Sequence, residues 1–226
     1  MTNATFLAID ASCAEGFAAL VKSDQLPVTS DKKEDPALGK SSESEQLVTF
    51  SGGRARDCAA AKAIATLCEK YPEASIDAVV VGIGPGSYNG LRSSLAAAWG
   101  FTFARNIPLA GVSSWLALAE GDFAVAGDAR QNQIALARVS SGAFVVAPRI
   151  VSREEALQEI AVLDTSLSLL CPALCGFPGE RQCTPQPHLL VRVALAQGIT
   201  TFPPVSSIIP EPIYLKPPHV TCARGV

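Results

Sequence analysis

The residues best placed to do chemistry lie in a glycine-rich stretch, VVVGIGPGSYNGLR, which spans residues 79–92. Four glycines and a proline separate an apolar run from a helix, a setting in which backbone N–H groups can bind phosphate. The spacing matches neither standard nucleotide motif. A dinucleotide fingerprint requires a sixth-position glycine, where Ser87 or Asn89 stands, and a P-loop ends in Gly-Lys-Ser/Thr, where this chain has Gly-Leu-Arg. The stretch therefore predicts a strand, a glycine turn and a helix capped by Ser87 or Asn89.

Arg92 is the informative charge of this stretch. A cation in the first turn of a helix meets the positive end of the helix dipole, which costs roughly a few tenths of a kcal/mol. We therefore expect Arg92 either to pair with a carboxylate of another segment or chain, or to be solvated. The helix behind it, residues 91–105, is apolar on nearly every side, so it is either wholly buried or has one face against a partner.

Cysteines and histidines are the remaining candidates for metal binding or nucleophilic chemistry. The chain has seven cysteines, an odd number, and its sequence shows no export signal. The cysteines therefore do not indicate a disulfide framework. Cys171, Cys175 and Cys183 with His188 could suggest zinc, but cysteine pairs in zinc sites usually lie two residues apart. Buried residues and loop thiols are the simpler interpretation, so we predict no metal site. The second histidine, His219, lies in a Pro-rich tail, so a metalloprotease pair is absent.

The composition limits which classes of protein the chain can belong to. The chain has 226 residues, of which 48% are apolar and 17% charged, enough for one large domain or two small ones. A net charge of −3 argues against a broad electrostatic grip on nucleic acid, so RNA is expected to be contacted only indirectly. The N-terminus carries no basic region, and no apolar run reaches the roughly 18 residues of a membrane span. We expect a cytoplasmic protein.

Strand and helix patterns alternate along the chain in an order typical of an α/β fold. The first half predicts a hairpin from TFLAID and GFAALVK, a polar loop over residues 25–44, a strand EQLVTF, a helix Arg54–Lys70 and a buried strand SIDAVVVGI. The second half predicts a strand and a helix capped by Ser113 or Ser114, three strands between residues 123 and 151, a helix opened by a Ser152/Glu155 capping box, a Pro/Gly-rich connector and a last helix HLLVRVALAQG. Asp128 and Arg130 are interpreted as a turn residue and its solvated neighbour.

The helix Arg54–Lys70 is expected to present two different faces. On a 3.6-residue period, the face toward the sheet is predicted to carry Ala60, Ala61, Ile64, Leu67, Cys68 and Tyr71. The opposite face has small side chains and little charge, which lets a second helix approach to about 8–10 Å between axes. The predicted partner-binding residues are Ala55, Ala59, Lys62, Ala63 and Thr66 of this helix, with Asn89 and Arg92 of the next.

The segment GIGPGSYNGLRSSLAAAWGFTFARNIPLAGVSSWLALA is similar to the signature of the bacterial tRNA threonylcarbamoyladenosine biosynthesis family TsaB (also called YeaZ), usually written G-x-G-P-G-S-F-T-G-L-R. LAIDAS, DARQNQIALA and EPIYLKPP resemble further segments of the family in the same order. The signature loop comprises Gly84, Pro85, Gly86, Ser87, Tyr88, Asn89, Gly90, Leu91 and Arg92. Tyr88 and Asn89 replace the usual Phe and Thr, Ala11 replaces a Thr, and the first helix departs from the family pattern.

This resemblance implies the actin-like ATPase (ribonuclease H-like) fold, with two related α/β lobes at residues 1–106 and 107–226. It also implies a non-catalytic scaffold subunit without a cofactor. Such a subunit binds the catalytic subunit TsaD, which modifies tRNA with help from the ATPase TsaE, and uses the same helices for homodimers. The first loop, DASCAEG, fits this expectation: it keeps Asp10 and Ser12 but lacks the glycine that lets a phosphate approach the backbone in active members of the fold.

Two other functions remain open on the sequence. The first is an actin-like phosphotransferase, with Asp10 near a metal ion and residues 84–90 under the phosphates. The second is a protease, an old label for relatives of the family, although two histidines in tail-like contexts provide no serine–histidine–acid or zinc constellation.

Overall fold

Two five-stranded mixed sheets with the same strand topology build the part of the protein that the structure describes. The structure is a computed structural model, and it describes residues 3–26, 46–51, 58–164, 166–198 and 209–216. The first sheet consists of β1 (Thr5–Asp10), β2 (Glu15–Lys22), β3 (Leu47–Ser51), β4 (Ala78–Gly82) and β5 (Leu109–Val112), in the order β3-β2-β1-β4-β5. The second consists of β6 (Phe123–Asp128), β7 (Gln133–Ser140), β8 (Ala143–Ser152), β9 (Ser168–Cys171) and β10 (Glu180–Gln182), in the order β10-β9-β6-β7-β8.

Each sheet starts as an antiparallel meander and continues with parallel strands. β1 pairs antiparallel with β2 and parallel with β4, and β6 pairs in the same way with β7 and β9. The parallel steps of the first sheet pass through α1 (Ala59–Lys70) and α2 (Tyr88–Arg105), and α3 (Arg153–Ala161) makes the corresponding step in the second. The expected α/β fold of two related lobes is therefore confirmed.

β4 lies between β1 and β5 in the first sheet and is buried along its whole length. Val79 and Val81 face the core beneath α1 and α2, whereas Val80 faces the opposite core. A strand covered on both faces has no polar side, which explains its continuous β-branched sequence.

The last helix, α4 (Pro187–Ala196), packs against the first sheet although it follows the second in sequence. Its apolar side chains, including Leu190, share one core with β1, with a 3-10 helix at Ser114–Ala117 and with β6 and β7. β5 and this 3-10 helix lie beyond residue 106 but belong with the first sheet, so the two sheets divide between Val112 and Phe123. Among the described residues, none of the helices is long and apolar enough to cross a lipid bilayer.

Most of the element predictions are confirmed, and the helix caps follow the predicted chemistry. Ser87 Oγ accepts a hydrogen bond from the Gly90 N–H at the start of α2, and Ser152 Oγ accepts one from the Glu155 N–H at the start of α3. α1 begins at Ala59, and the predicted start at Arg54 lies outside the described residues, as does most of the polar loop at 25–44.

Two features of the second half differ from the predictions. The helix expected after Ser113 is only the short 3-10 turn, because the Ser113 and Ser114 side chains bond to the signature loop and to Asp10 instead of capping a helix. The Pro/Gly-rich segment expected to be a connector contains β10, which pairs with β9 over three residues. Prolines and glycines on both sides of this short strand hide it in the sequence.

Candidate functional site

The signature loop packs directly on the loop of the first hairpin. The Ser87 N–H donates a hydrogen bond to the Ser12 carbonyl at 2.7 Å. A Cβ on Gly86 would lie 2.3 Å from that carbonyl oxygen, and a Cβ on Gly82 would lie 1.7 Å from Oδ2 of Asp10. Distances this short do not occur between real side chains and their neighbours. Gly86 is therefore required by the close approach of the two loops, and Gly82 by the packing of Asp10 against the end of β4.

Four backbone N–H groups of the signature loop are bonded within the protein. The Gly84 N–H donates to Ser114 Oγ at 2.9 Å, and the Leu91 N–H donates to the Ser87 carbonyl at 2.9 Å. Together with the Ser87 and Gly90 N–H groups, they hold the turn against the first sheet. The loop therefore directs α2, and four of its N–H groups are already occupied rather than free to bind a phosphate.

Asp10 joins three segments at the end of β1. The side chain is 1% exposed, its Oδ1 accepts hydrogen bonds from the backbone and hydroxyl of Ser12, and its Oδ2 accepts one from Ser114 Oγ at 2.6 Å. Burial raises the pKa of Asp10, although the bonds from Ser114 and Ser12 oppose this shift. Ser114 was not predictable in this role, since a serine after a strand indicates a cap rather than a partner for a distant carboxylate.

Asp10→Asn is expected to remove a pH dependence of stability. A folded-state pKa above the ordinary value of 3.8 means that the folded chain holds its proton more tightly, so stability falls as the pH rises from 3.8 through the raised pKa. Asparagine keeps the acceptor for Ser12 and can donate its amide to Ser114 Oγ. We expect the variant to be at least as stable as the wild type at neutral pH, with a flatter profile in urea unfolding across acidic pH. A loss of about 2 kcal/mol or more at neutral pH would contradict this.

Arg92 finds its partner on its own helix. Its Nη1 donates to the Tyr88 hydroxyl at 2.8 Å, and the guanidinium carbon lies 5.2 Å from the centre of the Tyr88 ring. In the part of the chain that the structure describes, no carboxylate lies within ion-pair distance of Arg92. Arg92 therefore neither pairs with a described carboxylate nor is simply solvated. It is exposed, but its guanidinium contacts the ring and hydroxyl of Tyr88.

The segment 209–216 covers the start of α2, although its sequence indicated only a Pro-rich tail. The Ile213 N–H donates to the Ile83 carbonyl at 2.8 Å, and the Tyr214 ring lies 5.0 Å from the ring of Tyr88. At its end, Lys216 Nζ donates to the Ala129 carbonyl in the second lobe at 2.7 Å. The only signal for this role was the resemblance of EPIYLKPP to the closing segment of the family.

A stripe of exposed side chains runs along the whole of α2, at the three- and four-residue spacing of one helix face. The α2 stripe comprises Tyr88, Arg92, Ala96, Trp99 and Phe103. Trp99 is 39% exposed and Phe103 is 68% exposed, with their ring centres 5.9 Å apart. Beside them, a Cβ on Gly100 would meet nothing within 4 Å, so the backbone there is open to close approach. The predicted binding residue Asn89 is also exposed.

The predicted sheet-facing side of α1 is confirmed for Ala60, Ile64 and Leu67 and is wrong for two alanines. The residues that it buries are Ala60, Ala63, Ile64 and Leu67, which follow the spacing i, i+3, i+4, i+7. Ala63 was expected on the partner face but is 3% exposed, and Ala61 was expected in the core but is exposed. With alanines at so many positions, hydrophobicity alone does not define which of them faces the sheet.

The other predicted α1 residues lie on the outer side of the helix or outside the residues that the structure describes. Lys62 and Thr66 are exposed, and Ala59 is half-buried, whereas Ala55 lies outside the described residues. The exposed Ala61 and Ala65 add to this surface. The candidate interface is therefore the outer side of α1 together with the α2 stripe.

The predicted turn at Asp128 is confirmed. Asp128 Oδ1 accepts a hydrogen bond from the Arg130 N–H at 2.8 Å, and Arg130, Gln131 and Asn132 all have positive φ angles. Asp128 ends β6 as Asp10 ends β1, so each lobe places an aspartate at the same point of its first hairpin.

Two lobes with the same order of strands, joined through shared packing of α4, define the actin-like ATPase fold. Residues 44–163, just over half of the chain, match the family model described as TsaD: tRNA N6-adenosine threonylcarbamoyltransferase, and the chain belongs to this family. The similarity to YeaZ-like proteins predicted from the signature loop is thereby confirmed.

Solved structures show the same fold. YeaZ from Pseudomonas aeruginosa has a TM-score of 0.59 at 18% identity, covering 94% of this chain and 100% of that one. A second Pseudomonas aeruginosa structure, described as an uncharacterised protein with similarity to peptidase YeaZ, has a TM-score of 0.62 with the same identity and coverage.

Curated relatives come from mycobacteria. An uncharacterised protein of Mycobacterium leprae is 32% identical over 140 residues, which cover 61% of this chain and 39% of that protein. An uncharacterised protein of Mycobacterium bovis is 41% identical over 80 residues, covering 34% of this chain and 38% of that protein. The match therefore spans about two fifths of the length of these curated relatives.

Proposed function

We propose that the chain is a scaffold subunit in the synthesis of threonylcarbamoyladenosine in tRNA, and that it binds a TsaD-like catalytic subunit without doing chemistry itself. The observation that carries this proposal is the α2 stripe, with Trp99 and Phe103 exposed beside an open glycine. The family to which the chain belongs supplies the reaction and the class of partner.

The composition of the α2 stripe suits a protein interface better than a free surface. Trp, Tyr and Arg are the side chains that most often dominate binding energy, and contiguous apolar patches on monomers commonly mark interaction sites. Ala96 and Gly100 on α2 and Ala61 on α1 are small, so a partner helix can approach closely between the larger rings. The same surface can also serve a homodimer.

The geometry around Asp10 supports a subunit without catalysis. Its carboxylate is buried and bonded to three internal donors, and four of the signature-loop N–H groups are already bonded within the protein. A phosphotransferase that used Asp10 and residues 84–90 would have to break these bonds before it could bind a metal–nucleotide complex.

The purified chain alone is expected neither to hydrolyse ATP nor to modify tRNA. ATP turnover can be measured by phosphate release after size-exclusion chromatography, with Asp10→Asn as the matched variant because it preserves the local hydrogen bonds. Turnover that copurifies with the wild type and disappears in Asp10→Asn would contradict the scaffold assignment and favour the phosphotransferase.

The partners follow from this assignment. A TsaE-like ATPase would act with the catalytic subunit, and tRNA would be held by the complex rather than by this acidic chain in the cytoplasm. The direct test is to mix the purified chain with the TsaD-like subunit of the same organism and to measure the mass by light scattering. We expect a complex heavier than either protein; two separate masses at micromolar concentration would contradict the proposal.

A further inference from the structure

The connection between β9 and β10 brings two thiols and a carboxylate together in the second lobe. In the first lobe the corresponding step passes through α2, but here it is a loop of residues 172–179. The ligand atoms of Cys171, Cys175 and Glu180 all lie within 4.8 Å of one another. This cluster lies outside the signature loop and the helix surface used by the proposed function.

The protein holds the Glu180 carboxylate in a fixed orientation. Its Oε1 accepts a hydrogen bond from the Gly176 N–H at 2.6 Å, and its Oε2 accepts one from the Cys175 N–H at 2.8 Å. Oε2 also accepts a hydrogen bond from the Cys171 thiol at 3.3 Å. Backbone donors that orient a carboxylate in this way are the outer-shell support found around protein metal ligands.

The two thiols differ in access. Cys171 ends β9 and is fully buried, whereas Cys175 lies in the loop and is half-buried, with its thiol directed at the Ala173 carbonyl. Cys175 is therefore open to an ion arriving from solvent. Arg153, the nearby cation, donates Nη2 to the Cys175 carbonyl and stacks on Phe177, so its guanidinium is already bonded to the loop backbone.

We propose that Cys171, Cys175 and Glu180 bind a thiophilic divalent cation of the zinc class. Zinc–sulfur bonds of about 2.3 Å and zinc–oxygen bonds of about 2.0–2.2 Å place tetrahedral ligands roughly 3.5–3.8 Å apart. The observed cluster needs a contraction of about 1 Å or less, which a rotation of the half-buried Cys175 can provide. Coordination replaces the two thiol protons, which leave to solvent, and water takes the fourth position.

This proposal reverses the expectation of no metal site, and its ligands differ from the cysteines and histidine that were considered from the sequence. Cys183 is not part of the cluster, because its thiol donates to the Leu118 carbonyl at 2.9 Å. Glu180 takes its place, five residues beyond Cys175 and brought back by the pairing of β10 with β9. A search for cysteine pairs alone could not find this carboxylate.

The test is zinc binding by the reduced full chain, measured by competition with a chromophoric chelator. We expect one equivalent of Zn²⁺ per chain, a higher melting temperature in its presence, and a loss of affinity of about tenfold or more in C171S, C175S and E180Q. C183S is the matched control and should bind as the wild type does. Circular dichroism checks folding, and C175S and E180Q carry the test if the buried C171S does not fold.

Cobalt provides a readout of the ligand atoms themselves. With Co²⁺, the wild type and C183S should show a near-ultraviolet thiolate-to-cobalt absorption band, and C175S should show a weaker one. The proposal is overturned if the reduced wild type binds no Zn²⁺, or if C175S and E180Q bind it as well as the wild type does. A pair that forms a disulfide in air but retains no metal when reduced would also overturn it, in favour of a dithiol.

Discussion

Gly82→Ala is expected to abolish stable folding of the chain. The new Cβ would lie 1.7 Å from Oδ2 of Asp10 and 2.8 Å from Oγ of Ser114, and both groups are buried and bonded to each other. Neither can move without breaking the link between β1, the first loop and the 3-10 helix. Overpacking commonly costs about 1–3 kcal/mol, and the broken buried hydrogen bonds add to this, so the sum approaches the total stability of a typical domain.

Thermal and urea unfolding of the purified variant would measure this effect, with Gly100→Ala as the matched control. At Gly100 a Cβ meets nothing within 4 Å, and alanine stabilises an exposed helix position by up to about 1 kcal/mol relative to glycine. The control should therefore unfold at or above the wild-type temperature. If Gly82→Ala is as stable as Gly100→Ala, the close packing described for Asp10 against the end of β4 is wrong.

Phe103→Asp is expected to prevent binding of the TsaD-like subunit while leaving the fold intact. Phe103 is 68% exposed, so its replacement removes little buried area from the free protein. In a complex, a charge at the centre of an apolar contact loses both the contact and its own hydration. Hot-spot residues commonly contribute about 2–4 kcal/mol, so affinity should fall by roughly 30- to 1,000-fold in isothermal titration calorimetry.

Val145→Asp provides the control for this loss of binding. Val145 is 60% exposed on β8, so it has nearly the same exposure as Phe103 but lies in the second sheet. It should keep both the melting temperature and the affinity of the wild type. Equal affinity for Phe103→Asp and Val145→Asp would place the interface elsewhere and leave the α2 stripe as an ordinary surface.

The fold followed from local signals wherever those signals were strong. The hairpin of β1 and β2, the buried β4 and the capped starts of α2 and α3 were predictable, because alternation, β-branched runs and serine caps act over a few residues. Which alanines of α1 face the sheet was not predictable, since nearly uniform alanines give almost no contrast between its faces. Ala63 is buried because its position places it over the sheet, not because it is more apolar than Ala61.

The site depends on contacts between distant segments, and the sequence shows only some of these contacts. The glycines of the signature loop were recognised, but their reason is the approach of Ser12 and Asp10 from more than seventy residues away. Ser114 bonds Asp10 across 104 residues, and Tyr214 returns to α2 from the end of the chain. Such pairings arise from the topology of the sheet, and single-sequence patterns carry no information about them.

The proposed scaffold role means that the chain supports a catalytic partner and has no catalysis of its own. The most direct measurement is the yield of threonylcarbamoyladenosine in tRNA from the TsaD-like subunit and the TsaE-like ATPase of the same organism, with and without the chain. We predict product only when the chain is present, an equal yield with Asp10→Asn, and little product with Phe103→Asp. Full yield without the chain, or a yield that Asp10→Asn abolishes while the complex still forms, would contradict the account.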